Sequence, residues 1–391
     1  MKLLYIHNTP IDSEKANLVQ VVQMCHAFAN NGVDLVLALP SSSKSEIVHD
    51  DQKENFCNEF GVDMNFDIVT YPKITLFGKL KKIGGYFGVK RLLENSVTDI
   101  CFLRNVSYID LVMSNNFPVV FECHEAKLHH QPLLNLFWTH RLVKNSTDKR
   151  FLKFIAISEA LALFWREKNI PASKIIISHD GFNHLQFAEP MEKTTCRIKL
   201  NLPTKRKIVM YLGSLYRDRG IKNILKLAKI FDDVLFVVVG GPDNEKDKLK
   251  DISRKEDLVN IIFTGRISHN KVKDYLFSAD VLLMVWTDQV KTIHICSPLK
   301  MFEYMAAGRI IVGHGYPTIK EVLTDGETAL LAPPGDFTKL KEKLQSALDD
   351  HSCEKLAVQA RESAFSKYSW DLRAKYILDH LSSSSNDWPS A

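Results

Sequence analysis

The sequence predicts an α/β protein built from two open parallel sheets, and three observations predict it. Short apolar runs of strand length alternate with segments of helix length along both halves of the chain. The alternation stops in a polar stretch punctuated by Pro190 and Pro203, then restarts. The chain of 391 residues is long enough for two domains, each with its own core.

Composition narrows the class. Hydrophobic residues make up 45% and charged residues 25%, the balance of a soluble globular protein. The formal charge of 51 − 46 = +5 permits weak attraction to anionic membranes or phosphorylated substrates without implying nucleic-acid binding. Residues 1–6 hold too short an apolar run for a secretory signal, and no apolar stretch reaches membrane-spanning length. Seven cysteines without a Cys-x-x-Cys pair argue for a reduced compartment and against a disulfide framework or zinc ribbon. The expected location is the cytoplasm, with the inner face of the membrane as a variant.

The first half runs strand 3–6, loop 7–15, helix 16–29 stopped near Gly32, then strand 33–39. Runs at 66–69, 100–103, 119–121, 154–157 and 175–177 continue the sheet. In an open parallel sheet, ligands bind outside the carboxyl ends of the strands. Asn17, in the helix after the first loop, therefore belongs on the ligand side, or else the segment is simply a cap and a core-facing helix. Strand 119–121 runs into Glu122-Cys123-His124-Glu125, with His129 and His130 just beyond. That cluster invites a metal, yet its spacing fits no compact zinc pattern, and no metal site is expected. His124 is either a strand-end functional residue or a partly exposed loop histidine. Residues 77–91 mix lysines and Arg91 with aromatic and aliphatic side chains; they read as a solvated basic helix and loop or as a peripheral membrane contact.

The second half restarts with strand 207–212, the loop from Gly213 to Gly220, and a helix over 221–231. Strand 234–239 enters Gly240-Gly241-Pro242, and strand 260–267 follows. The next buried strand, 280–285, leads to Ser297-Pro298-Leu299-Lys300, where Ser297 reads as N-cap and Pro298 as the first helical residue. Gly308 ends that helix in the left-handed conformation. A helix start beyond a parallel strand offers free N–H groups and partial positive charge to phosphate. Lys300 sits one turn in and Glu303 one turn further, a pair suited to gripping a phosphate and a sugar diol. Strand 309–312, a helix to about Leu323, and residues 325–333 complete the sheet; a helix follows Trp370, and the serine-rich end, 382–391, reads as disordered.

These motifs resemble those of the family-four retaining glycosyltransferases (glycosyl transferases group 1). The resemblance implies the GT-B fold, two Rossmann-like domains facing each other across a cleft: 1–185 as acceptor domain, 186–206 as linker, 207–367 as nucleotide-sugar domain, and 368–391 as a helix packing back on the first domain with a disordered tail. It implies a sugar moved from a nucleotide-sugar donor, a UDP-sugar first and a GDP-sugar next, to a glycan, glycolipid or other hydroxyl acceptor with retention, in bacterial surface polysaccharide synthesis. No cofactor or metal is expected, and no nucleic acid. Glu303 matches the second of two family glutamates eight positions apart, the ribose ligand; the first position is Ile295, so that carboxylate is missing. Arg219 falls on the family's phosphate lysine, Ser214 replaces its arginine after Gly213, and Arg217 is placed to supply the lost charge. With Lys300 and the helix start at Pro298, Arg219 would stabilise the leaving diphosphate. Arg266 and Ile267 match the base-binding loop, Ser297, Pro298 and Leu299 the phosphate side, His124 a histidine near the transferred sugar, and Asn17 the acceptor side. Two alternatives keep the fold: a nucleotide-sugar 2-epimerase, and a catalytically silent nucleotide-binding partner subunit.

Overall fold

In the computed structural model, which describes residues 1–11, 16–41, 50–72, 81–216 and 219–382, the chain divides into two compact units. The first is Met1–Asp180 together with the C-terminal segment from Trp370; the second is Gly181–Ser369.

Among the described residues, seven parallel strands build the first unit: β1 (Lys2–Ile6), β2 (Asp34–Ser41), β3 (Asp67–Pro72), β4 (Ile100–Leu103), β5 (Val119–Cys123), β6 (Phe151–Ala156) and β7 (Ile175–Ile177), in the order β3-β2-β1-β4-β5-β6-β7. Its helices are α1 (Ala16–Asn30), α2 (Asp50–Phe60), α3 (Lys81–Glu94), α4 (Ile109–Ser114), α5 (Pro132–Ser146) and α6 (Glu159–Glu167), joined by the C-terminal helix Trp370–Ser382. The second unit has six parallel strands, β8 (Ile208–Leu212), β9 (Leu235–Val239), β10 (Ile261–Gly265), β11 (Val281–Met284), β12 (Ile310–His314) and β13 (Leu330–Ala332), ordered β10-β9-β8-β11-β12-β13. Its helices are α7 (His184–Phe187), α8 (Lys193–Lys199), α9 (Ile221–Ile230), α10 (Asp243–Lys255), α11 (Val272–Ser278), α12 (Leu299–Ala307), α13 (Pro317–Lys320), α14 (Phe337–Asp349) and α15 (Glu354–Lys367), so the C-terminal helix is α16. Both sheets reverse their strand order beside their first strand, between β1 and β4 and between β8 and β11. Loops leave such a point in opposite directions, and a crevice opens there.

Each sheet is covered on both faces, which is why its strands read as continuous apolar runs. Along β8, Ile208 and Met210 enter one core while Val209 and Tyr211 enter the other. Period-two alternation thus persists with no polar face.

Three local expectations change. Pro298 is the cap of α12, extended at φ −79° and ψ 122°, so Ser297 stands one residue before it and no side chain caps the helix. Helix α13 ends at Lys320, although the Leu323 N–H still bonds the Ile319 carbonyl at 2.8 Å. The stretch 186–206, polar enough to read as linker, carries α8 and part of α7 inside the second unit. Arg197 is buried there because its guanidinium donates to the carbonyls of Ser278, Thr204 and Arg206 and pairs with Asp280 at 2.6 Å. Gly308 ends α12 in the left-handed region, φ 59°, as expected. Residues 12–15, 77–80 and 383–391 of the loop, basic-segment and tail readings lie outside the described residues. Among the described residues, no helix is long and apolar enough to cross a membrane.

Candidate active site

In the second unit the site begins where β8 ends. Gly213 follows β8 at φ 147° and Gly240 follows β9 at φ 130°. A Cβ on Gly240 would stand 1.9 Å from the Gly213 carbonyl oxygen, so only glycine permits these two backbones to touch. Main-chain bonds stitch the loops: Gly213 N–H to Val239, Leu215 N–H to Gly241 and Gly240 N–H to Gly265, each 2.9 Å. The result is a floor of backbone at the carboxyl ends of β8, β9 and β10.

Helix α12 lies against the end of β8, where the Leu212 N–H donates to the Tyr304 hydroxyl at 2.7 Å. This contact sets Lys300 over the floor. Its Nζ is 4.1 Å from the Tyr211 ring centroid and 5.3 Å from that of Trp286. A Cβ on Gly213 would come within 2.6 Å of the same atom. Burial pushes Lys300 down to about 7, and the neighbouring Arg219 charge adds to the effect. Arg219 is half-buried and its Nε has no hydrogen-bond partner among the described residues. The Arg219 charge thus opposes the charging of Lys300, and an anion placed between them relieves the repulsion. One turn beyond Lys300, the buried Glu303 carboxylate is 3.5 Å from His269 Nε2. Burial raises Glu303 to about 7 against the opposing pull of Lys300, and burial holds His269 neutral at about 4.

Gly213, Arg219, Lys300 and Glu303 are thus brought together. The remaining positions stand around them. Ser297 is buried just before the cap, and Leu299 is the first residue of α12. The Ser214 carbonyl accepts the Tyr211 hydroxyl at 2.9 Å. Arg266 is exposed on the loop after β10 beside Gly241, whereas Ile267 packs into the core. Ile295 bonds its N–H to the Thr292 carbonyl in the loop before α12. Arg217 lies outside the described residues.

In the first unit a polar network occupies the carboxyl ends of β1, β4 and β5. Glu122, fully buried in β5, pairs with Arg373 of α16 at 2.8 Å and with Arg104, just past β4, at 3.5 Å. Its Oε1 is 2.7 Å from His124 Nε2, and Gln20 reaches both Glu122 (3.1 Å) and Asp180 (2.7 Å). Burial pushes the Glu122 carboxyl up, yet Arg373, His124 and Arg104 outweigh it and hold the group ionised far below the usual range. Burial and the Arg104 charge lower His124 to about 4, so the ring is neutral. A neutral ring facing a carboxylate donates, which puts the proton on Nε2 and leaves Nδ1 as an acceptor. Asp180, buried and close to Glu122, rises to about 7. Among the described residues, both ring nitrogens of buried His7, the Tyr5 hydroxyl and the Asn17 Oδ1 lack partners, while the Asn17 amide donates to Thr9 at 3.0 Å. His129 stacks on His130 at 4.3 Å rather than joining His124 at one point, and the described residues gather no group of three metal-ligating side chains.

Sequence reasoning missed Tyr211, Trp286 and His269 around α12, and Arg104, Arg373, Gln20 and Asp180 around Glu122. Glu122 itself carried a signal, a carboxylate inside the apolar run of β5.

Residues 192–366 match the family model described as Glycosyl transferases group 1. The matched stretch contains the floor, α12, Arg219, Lys300 and Glu303. Among curated proteins, the chain is 27% identical over 244 residues to the lipopolysaccharide 1,2-N-acetylglucosaminetransferase of Salmonella typhimurium strain LT2, covering 59% of this chain and 61% of that one. It is 28% identical over 196 residues to the 2-deoxystreptamine N-acetyl-D-glucosaminyltransferase of Niallia circulans, 48% of each chain. The chain therefore spans about half to three-fifths of the length of these relatives. Among solved structures, Anabaena HepE in complex with UDP and glucose superposes with a TM-score of 0.75 at 16% identity, covering 98% of this chain and all of that one. Sucrose-phosphate synthase of Thermosynechococcus elongatus gives 0.78 at 15%, covering 99% and 100%. The two parallel-sheet units are those of the GT-B fold.

Proposed function

We propose that the chain is a retaining glycosyltransferase that moves a sugar from a nucleotide-sugar donor, a UDP-sugar first and a GDP-sugar next, to a hydroxyl of a glycan or glycolipid acceptor. The observation that carries this reading is the group formed by Lys300 and Arg219 over the Gly213 floor, with Glu303 one turn away. It lies within the stretch that matches the family model.

In this reading the two cations and the open start of α12 hold the diphosphate and stabilise its charge as it leaves. Glu303 accepts from the ribose diol, Arg266 and Ile267 border the base, and Ser214, Ser297 and Leu299 flank the phosphates. In the first unit Nδ1 of His124 accepts from a sugar hydroxyl, and Asn17 faces the acceptor. Leaving-group stabilisation falls to side chains, so the reaction is assigned no metal. The UDP of the HepE complex supports the first choice of donor, and the lipopolysaccharide named for the Salmonella relative supports a role in surface polysaccharide synthesis. Ile295 favours one competing reading, a subunit that binds nucleotide without turnover.

The test is a thermal-shift panel of UDP, GDP, ADP and CMP, followed by transfer assays with the donor of the responding nucleotide. UDP should raise the melting temperature, and Glu303→Ala should abolish the rise. Failure of every nucleotide to shift the protein would overturn the donor site; binding without turnover across an acceptor screen would establish the silent reading.

A further inference from the structure

We propose that the first two turns of α5 form a membrane-docking surface that seats the first unit on an anionic lipid bilayer. Leu133, Leu136 and Phe137 are 82%, 67% and 51% exposed, three large apolar side chains within five residues. Scattered apolar residues on a surface need no explanation, but a contiguous group does. These three follow i, i+3, i+4 spacing and so share one face of the helix. The opposite face is fixed: Arg141 and Asn145 both bind Asp110 of α4, at 2.6 Å and 2.7 Å, and Leu142 and Ser146 are buried. The apolar turn is therefore held outward by a tethered helix. Helix α3 packs on the same α4, and its Tyr86 and Phe87 are exposed as well.

Charge selects the occupant. No Asp or Glu occurs from 126 to 147, and Lys127 and Lys144 in that stretch are both exposed. A second copy docked by a two-fold axis would bring these lysines against themselves. A nucleic acid would leave the leucines and Phe137 without a partner. An anionic bilayer accepts both, because its acyl boundary takes the apolar side chains and its headgroups take the ammonium groups. The surface deepens the proposed function, on which it rests for its purpose of meeting a lipid-linked acceptor; the binding itself is measured without substrate.

The experiment is cosedimentation of the full chain with vesicles of phosphatidylcholine alone or mixed with phosphatidylglycerol, with sedimentation velocity in parallel. The wild type should bind only the anionic vesicles, and raising salt from about 50 to about 500 mM should weaken that binding about tenfold. The combined variant L133S/L136S/F137S should lose at least about tenfold in affinity with an unchanged melting temperature, since these side chains are exposed. K127E/K144E should remove the preference for anionic lipid. No vesicle binding by the wild type, or equal binding by the serine variant, would overturn the proposal. So would a wild-type dimer that the serine variant dissociates. The nucleotide shift is read on the same samples: vesicle binding without any nucleotide response would sink the transferase reading alone, and a nucleotide response without vesicle binding would sink the docking surface alone.

Discussion

Replacing Glu303 with Gln should stabilise the protein and weaken donor binding at once. Glu303 is 6% exposed, and burial raises its carboxyl from 4.5 to about 7. At about 1.36 kcal/mol per pH unit, that is about 3 kcal/mol of preference for the neutral acid. An acid with a raised folded-state value costs the fold nothing below about 4.5; the cost accrues as pH rises to 7 and is full above it. Gln is neutral throughout and avoids it. Part of the gain is returned through Lys300, whose ammonium loses a favourable carboxylate neighbour. The net gain at pH 8 should be about 1–3 kcal/mol, or about 2–4 °C in melting temperature per kcal/mol for a unit of this size. The gain should shrink to less than about 1 kcal/mol at pH 5 and vanish below about pH 4.

Donor binding should move the other way. Two hydroxyls lose a charged acceptor, at about 1.5–3 kcal/mol, which is a ten- to hundredfold rise in the UDP dissociation constant. Differential scanning fluorimetry at pH 5 and pH 8, with and without UDP, reads both effects, and calorimetry gives the affinity. A melting temperature that falls at pH 8 would mean that Glu303 is a structural partner of His269, and an undiminished UDP shift would remove it from the ribose site.

Lys300, pushed down to about 7, loses its charge as pH rises through that value, so kcat/KM should fall on the alkaline side; Lys300→Arg, which stays charged, should move that limb upward, and an unmoved limb would assign it elsewhere. Glu122→Gln leaves Arg373 and Arg104 buried without their anion and should cost about 3–5 kcal/mol in chemical denaturation. Because the Glu122 carboxyl is held far below its ordinary value, the stabilisation is present above about 4.5 and lost only in strong acid, so the deficit should be the same at pH 5 and pH 8. Gly240→Ala drives a methyl into the Gly213 carbonyl at a φ of 130° and should cost at least about 3 kcal/mol, together with the UDP shift; a folded, responsive variant would refute the backbone floor.

What the sequence made legible was local. The runs that became β4 and β8 announce themselves by apolar character and length, and α12 by Gly308 after its last residue, since both signals lie within one element. The pair Lys300 and Glu303 was legible because three residues are one turn. Arg373 was not: nothing near it in the chain says that its guanidinium meets Glu122 at the end of β5. His269 and Trp286 were hidden for the same reason. The segment 186–206 misled because polarity and proline read as linker, whereas Arg197 is polar and buried, its donors consumed by backbone carbonyls.

The two strand-order reversals differ in how their charge is balanced, and that difference supports the proposed division of labour. Around β8 and β11, Lys300 and Glu303 are each about half ionised near neutrality, so with the Arg219 guanidinium beside them the local field is positive and suits a diphosphate. Around β1 and β4, the charge of Glu122 is met by Arg104 and Arg373 within the protein. Besides Nη1 of Arg373, what that crevice still offers among the described residues is neutral: both nitrogens of His7, the Tyr5 hydroxyl and the Asn17 Oδ1. Unpartnered neutral donors and acceptors recognise hydroxyls better than phosphates, because they satisfy hydrogen bonds without neutralising charge. A nucleotide bound by the second unit and a sugar hydroxyl met by the first is the assignment that leaves the fewest of these groups unpaired.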